Sequence, residues 1–160
     1  MDKLSVRELT EADIQQIAAW RYEEPYDLYN ISAQALQEFR NGLYRALVTP
    51  NDELKGFVCW GTSAQVRGVR DRGHYDDESL LDMGLGMHPD LTGCGLGASF
   101  VNACLKWLAQ TFAPAGFRLT VASFNRRAIR VYQKAGFEMT ALCKTPTTKG
   151  EFEFTVMEKR

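Results

Sequence analysis

Gly93, Gly95 and Gly97 stand at alternate positions in the stretch LLDMGLGMHPDLTGCGLGASF, residues 80–100. An apolar run ending at Pro89 precedes them, and a helical run starting near Gly97 or Ala98 follows. Residues without a Cβ can turn successive main-chain N–H groups toward one point. The first N–H donors of the next helix, and its dipole, add to the same field. Such a cradle suits an anion, a phosphate or pyrophosphate above all. A loose turn built of small residues would use the same letters. The spacing G-x-G-x-G is neither the dinucleotide G-x-G-x-x-G nor a phosphate loop ending in G-K-[ST].

Three other groups of residues could do chemistry. On the strand before the glycines, Leu81, Met83, Leu85 and Met87 share one face, while Asp82, Gly84, Gly86 and His88 share the other. Two glycines on one strand face indicate either a close approach to the sheet or tight packing under a helix. Asp82 on that face is a candidate base, or else a carboxylate paired with an arginine. In VASFNRRAIRVYQKAGF, Asn125, Ala128, Tyr132 and Ala135 fall on one helical face. Asn125 reads as a helix cap, and Tyr132 as a core aromatic whose hydroxyl can reach the rim. Finally, WRYEEPYDLYN is dense in rings and acids: Trp20, Tyr22, Glu23, Glu24, Tyr26 and Tyr29. That wall would suit a cationic amine, or would pack its tyrosines on the sheet.

The elements that must carry these groups follow from periodicity and caps. KLSVREL alternates as a strand. Thr10 caps a helix over EADIQQIAAW, which Pro25 separates from a second helix, AQALQEFRN, capped by Ser32 and ended by Gly42. LYRALVT and LKGFVCWGT form a hairpin around PNDE, and AQVRGVRDRGHYDDES is a loop. The glycine strand leads into an amphipathic helix, ASFVNACLKWLAQTF. A strand, GFRLTVAS, a helix, NRRAIRVYQKAG, and a hairpin around PTTKG complete the chain. The order β-α-α-β-β-β-α-β-α-β-β indicates an α/β chain with a mixed α+β sheet, about seven strands with four helices, in a single domain over residues 1–160.

Composition narrows the partners. A net charge of −1 gives no reason to invoke nucleic acid or an anionic membrane. No apolar run is long enough to span a bilayer, and the first residues contain no apolar leader. The four cysteines form no C-x-x-C pair, and His74 and His88 lie fourteen apart, so neither a metal site nor a disulfide framework is expected. A reduced, cytoplasmic protein is expected.

Taken together, the motifs resemble a family. HPDLTGCGLG looks like the coenzyme A-binding segment of the GNAT superfamily of N-acetyltransferases. FNRRAIRVYQKAGF resembles that family's later motif, N-x-x-A-x-x-x-Y-x-K-x-G-F, and the strand order matches its fold. The resemblance implies a GNAT-like acyl-CoA N-acyltransferase fold, with acetyl-CoA as acyl donor. The acceptor would be the primary amine of a small molecule or peptide, attacking directly in a ternary complex. It places the cofactor between the strands LDMGLGM and RLTVAS, paired with main-chain groups of Leu85 and Met87 and lying close over Gly86. It places the pyrophosphate on N–H groups from Gly93, Cys94, Gly95, Leu96, Gly97 and Ala98, and Asn125 against the cofactor. Tyr132 would protonate the departing thiolate, with Asp82 as candidate base. Tyr22, Glu23, Glu24 and Tyr26 would line the acceptor pocket, as the segment between the first two helices does in the family. No metal is implied, and a homodimer is compatible with all of it. Two departures stand out: Thr92 replaces the usual Arg or Gln before the glycines, and Thr120 replaces the glutamate that serves many relatives as general base. Loss of that glutamate leaves a second reading, a coenzyme A-binding sensor without turnover.

Overall fold

In the structure, a computed structural model that describes residues 3–160, seven strands form one mixed sheet. They are β1 (Ser5–Glu8), β2 (Tyr44–Val48), β3 (Leu54–Trp60), β4 (Leu80–Met87), β5 (Gly116–Ala122), β6 (Glu138–Thr147) and β7 (Gly150–Lys159), in spatial order β1-β2-β3-β4-β5-β7-β6. Every pair is antiparallel except the central one, β4 with β5. The α-helices are α1 (Glu11–Ala19), α2 (Arg67–Asp71), α3 (Gly97–Phe112) and α4 (Arg126–Lys134).

Local chemistry explains where the helices start. Thr10 accepts the Asp13 N–H, and the Asp13 carboxylate accepts the Thr10 N–H, a reciprocal box that satisfies two otherwise unpaired donors. Arg7 on β1 donates to the same carboxylate at 2.6 Å and ties α1 to the sheet edge. Burial alone would raise the Asp13 pKa; the Arg7 and Thr10 bonds outweigh it and hold the group below its ordinary value. Asn125 caps α4 by accepting the Ala128 N–H.

Two expected elements differ. The second predicted helix is a run of 3-10 turns, Ala35–Arg40, preceded by another at Tyr26–Tyr29. A segment this short is marginal as an α-helix, and the three-residue repeat sets Leu36 and Phe39 in line against the core. The predicted loop 64–79 contains α2, which is docked by a single buried side chain, Val69. One apolar residue among arginines gives no periodic signal to read.

The core has two faces. Helices α3 and α4 cover one, where Phe100, Val101, Cys104 and Leu108 meet Val58, Met83, Leu119 and Met157. The opposite face is covered in two parts: α1 with the 3-10 turns over β2 and β3, and α2 over β5–β7. The boundary between those parts coincides with the parallel β4–β5 pair.

Candidate active site

Strands β4 and β5 pair only from Leu80 with Gly116 to Asp82 with Arg118. Beyond that point β4 stays with β3 through Met87, and β5 stays with β7 through Ala122. The sheet therefore splays open. The last register pair, Asp82 and Arg118, also joins side to side: Nε to Oδ1 at 2.6 Å and Nη2 to Oδ2 at 2.9 Å. Gln65 donates to the second Asp82 oxygen at 2.8 Å, and Arg118 also donates to the Tyr75 and Asp77 carbonyls. Burial alone would lower the Arg118 pKa, and the Asp82 carboxylate reverses that and raises it. Asp82 is thus a buried ion-pair partner at the vertex of the splay, with both oxygens engaged, and it does not line the cleft. The arginine-paired alternative for this residue is the one the structure has.

The splay exposes main chain. His88 N–H donates to the Lys55 carbonyl on β3, and antiparallel bonding alternates along a strand. The N–H and C=O groups of Met83, Leu85 and Met87 therefore face away from β3, into the gap. The Tyr22 hydroxyl reaches one of them, donating to the Met87 carbonyl at 2.6 Å. Gly86 lines the cleft, and tight packing is one reason it has no Cβ. On the face away from α3 the Phe57 ring lies across it, where a Cβ would overlap the ring.

The opening continues to the glycine loop. Gly93 and Gly95 adopt φ of 73° and 76°, and Leu96 between Gly95 and α3 is right-handed at φ −94°, ψ −4°. Alternating left- and right-handed residues turn neighbouring N–H groups to one side. No main-chain N–H from Gly93 through Ser99 donates to an acceptor among the described residues. The α3 N-terminus has no side-chain cap and no acid in its first turn. Thr92 turns its hydroxyl back to the Pro89 carbonyl at 2.8 Å, and Cys94 is exposed, its thiol beside the Asp90 and Thr92 carbonyls. A positive charge stands here: Arg127 of α4 lies close over Gly93 and 4.3 Å from the Tyr26 ring centroid, and Arg130 and Lys134 of the same helix also line the cleft. These features fit the pyrophosphate of a coenzyme A.

All of it belongs to one cleft of about 690 Å³ that passes through the sheet. Tyr132 enters from α4, buried against Phe137, its hydroxyl without a hydrogen-bond partner among the described residues. Burial pushes its phenol above the ordinary value, with the nearby Tyr29 and Cys104 adding to the shift. Asn125 lines the cleft too. Its carbonyl oxygen is spent on the cap, and its amide donates to the Tyr29 hydroxyl at 3.3 Å. Thr120, where many relatives carry a glutamate, lies 2.6 Å from the Tyr75 hydroxyl, which also accepts the Val66 N–H.

On the opposite face, two of the four residues expected to line an acceptor pocket reach the cleft. Tyr22 and Tyr26 line the cleft, with Tyr29. Glu23 and Glu24 do not; both are exposed, because the Tyr26 N–H closes a turn on the Glu23 carbonyl that sends the rings inward and the acids out. The cleft's carboxylate is Glu38. In the 3-10 run Ala35 and Glu38, three apart, share a line. Tyr75 likewise takes a fixed place that its polar loop did not signal.

Comparison with known proteins bears on this arrangement. A family model described as "Acetyltransferase (GNAT) domain" matches residues 3–138. No curated protein matches the chain. Among solved structures, a GNAT-family acetyltransferase from Bacillus anthracis has a TM-score of 0.71 at 14% identity, covering 98% of this chain and 94% of its own. The Vibrio cholerae spermidine N-acetyltransferase, solved with CoA and spermine, scores 0.67 at 18% identity over 98% and 94%. The ribosomal-protein-S18-alanine N-acetyltransferase of Escherichia coli scores 0.63 at 20% identity over 98% and 92%. At these identities the likeness is one of fold. Among the described residues no helix is long and apolar enough to cross a membrane.

Proposed function

This chain belongs to the GNAT acetyltransferase family, and from that membership we propose that it moves the acetyl group of acetyl-CoA to a primary amine by direct attack, both being bound at once. The observation that carries this reading is the splay after Asp82, whose free β4 edge leads straight to the unpaired N–H groups of Gly93–Ser99. The names of two similar structures, acting on spermidine and on a ribosomal-protein alanine, support an amino group as acceptor.

When bound, acetyl-CoA supplies an activated thioester. The residues do the rest. Leu85 and Met87 offer main-chain donors and acceptors to the pantetheine amides, as an added strand would find them. The N–H groups from Gly93 to Ala98 hold the pyrophosphate, and Arg127 of α4 reinforces them. The Leu85 N–H donates to the thioester oxygen as charge develops there. Tyr132 gives its proton to the departing sulfur; a buried phenol stays protonated and ready. With Asp82 committed to Arg118, the amine loses its proton to water in the open cleft. Thr120, held by Tyr75, offers that water an acceptor.

Thermal unfolding and thiol release test this together. Acetyl-CoA at about 100-fold its Kd should stabilise by roughly 2.7 kcal/mol, a rise on the order of 5–10 °C for a chain of this size. ADP should do much less, and adding a primary amine should release thiol. Equal shifts with ADP, or no thiol with any primary amine, would refute the reading.

A further inference from the structure

We propose that the acceptor end of the cleft holds a second cation, bound by Glu38, so that the enzyme selects diamines over monoamines. The proposal rests on the acetyl-transfer reading only for the place of the reacting amine.

The charges lining the cleft sort by element. Arg127 stands over Gly93 of the glycine loop, Arg130 and Lys134 line the cleft from the same helix, and Glu38 is the carboxylate among the lining residues. Glu38 has no ion-pair partner among the described residues, although it belongs to a segment that has an arginine to offer. Arg40, two residues on, is committed to Glu11 and Gln37. Glu38 lines the cleft together with Tyr44 and Cys59. Burial is the main reason the Cys59 thiol is pushed up to about 12 and the Tyr44 phenol is raised, and Glu38 adds to both.

Its surroundings suit an alkylammonium. The Phe39 ring lies 4.4 Å from Tyr44 and 5.1 Å from Phe57, centroid to centroid, a wall that takes methylenes on its surface and a cation on a ring face.

Position excludes Glu38 as the base. Tyr44 and Cys59 are on β2 and β3, whereas acetyl transfer belongs to the gap between β4 and β5. With neighbouring strands about 4.8 Å apart, Tyr44 and Phe57, on which the adjacent Phe39 packs, lie roughly 7–12 Å from that gap. This separation is too long for proton transfer and matches two nitrogens joined by several methylenes. One amine then reacts while the other stays charged on Glu38.

The test is calorimetric titration of the CoA-bound protein with diaminobutane and with butylamine, for the natural chain, Glu38→Gln and Glu38→Asp. A charge-assisted contact at a partly exposed site should make diaminobutane bind about 10-fold more tightly than butylamine. Glu38→Gln should abolish that preference while leaving butylamine and CoA binding unchanged. Glu38→Asp should keep part of it. The exposed Glu38 has no bonds to lose, so unfolding temperatures should coincide. Equal affinity for the two amines in the natural chain, no diamine binding, or a preference that survives Glu38→Gln would overturn the proposal. Thiol release on the same samples separates the claims. A Glu38-dependent diamine preference without transfer refutes the acetyl-transfer reading alone, and transfer without the preference refutes the subsite alone.

Discussion

Gly95→Ala isolates the glycine loop's contribution to cofactor binding. Gly95 has φ of 76°, and a Cβ there would meet nothing within 4 Å. The substitution therefore adds no clash, only the cost of an L-residue in the left-handed region, roughly 1–2 kcal/mol. Part is offset by the lower entropy of the unfolded chain, leaving about 1 kcal/mol. For a chain of this length that lowers Tm by roughly 2–4 °C. Gly42 provides a matched control: φ of 87°, nothing within 4 Å, and a place outside the cleft. Gly42→Ala should cost the same stability. Only in Gly95→Ala can the loop relieve strain by leaving the left-handed region, which turns its N–H groups off the common point. Losing one charge-assisted bond to a phosphate is worth about 1.5–3 kcal/mol, so the KM for acetyl-CoA should rise on the order of 10-fold or more. Steady-state kinetics and thermal unfolding of both variants decide it. If KM rises equally in both, or in neither while the stability losses match, the cradle assignment is wrong.

Tyr132→Phe should lower kcat on the order of 100-fold or more while leaving the KM for acetyl-CoA near its natural value. Because burial raises the phenol above 10.0, kcat should show no descending limb below about pH 10, which a pH–rate profile reads directly. Asp82→Asn breaks a buried pair and leaves Arg118 without its partner. It should cost about 3–5 kcal/mol, a fall in Tm on the order of 10 °C, while the folded enzyme still turns over in the cold. Activity lost at unchanged Tm would instead make Asp82 the base. Lys149 on the β6–β7 turn donates to the Asp27, Leu28 and Asn30 carbonyls at 2.9, 3.1 and 3.0 Å and fastens the tyrosine wall. Lys149→Met should raise the amine KM about 5-fold with kcat and the acetyl-CoA KM kept, since a bond set at an exposed site is worth about 1 kcal/mol.

The cofactor half of the site was legible because its signals are local. Glycines at alternate positions, a cap at Asn125 and a tyrosine two turns on are fixed by short-range geometry, and the structure brings them to one cleft. The main-chain groups of Leu85 and Met87 came from the family resemblance rather than from the strand pattern, and the β3–β4 register turns them into the gap. The acceptor half depends on long-range placement. The facing of Glu23 and Glu24 is decided by a turn closed at Tyr26, and that of Glu38 by a 3-10 repeat that forms where Phe39 must meet Tyr44 and Phe57. Asp82 and Arg118 are 36 residues apart, so their pairing at the vertex appears only once β4 lies beside β5. The bare Gly86 was ambiguous for the same reason, its neighbour Phe57 being on another strand.

Amide hydrogen exchange followed by NMR, with and without acetyl-CoA, probes the splay directly. In the free protein the Leu85 and Met87 amides face the open gap, while those of Gly84 and Gly86 face β3. On adding acetyl-CoA, the Leu85, Met87 and Gly93–Ala98 amides should become protected together, and those of Gly84 and Gly86 should change little. Binding that leaves Leu85 and Met87 exchanging as before would show that the cofactor does not pair along β4, and the account of this active site would fail.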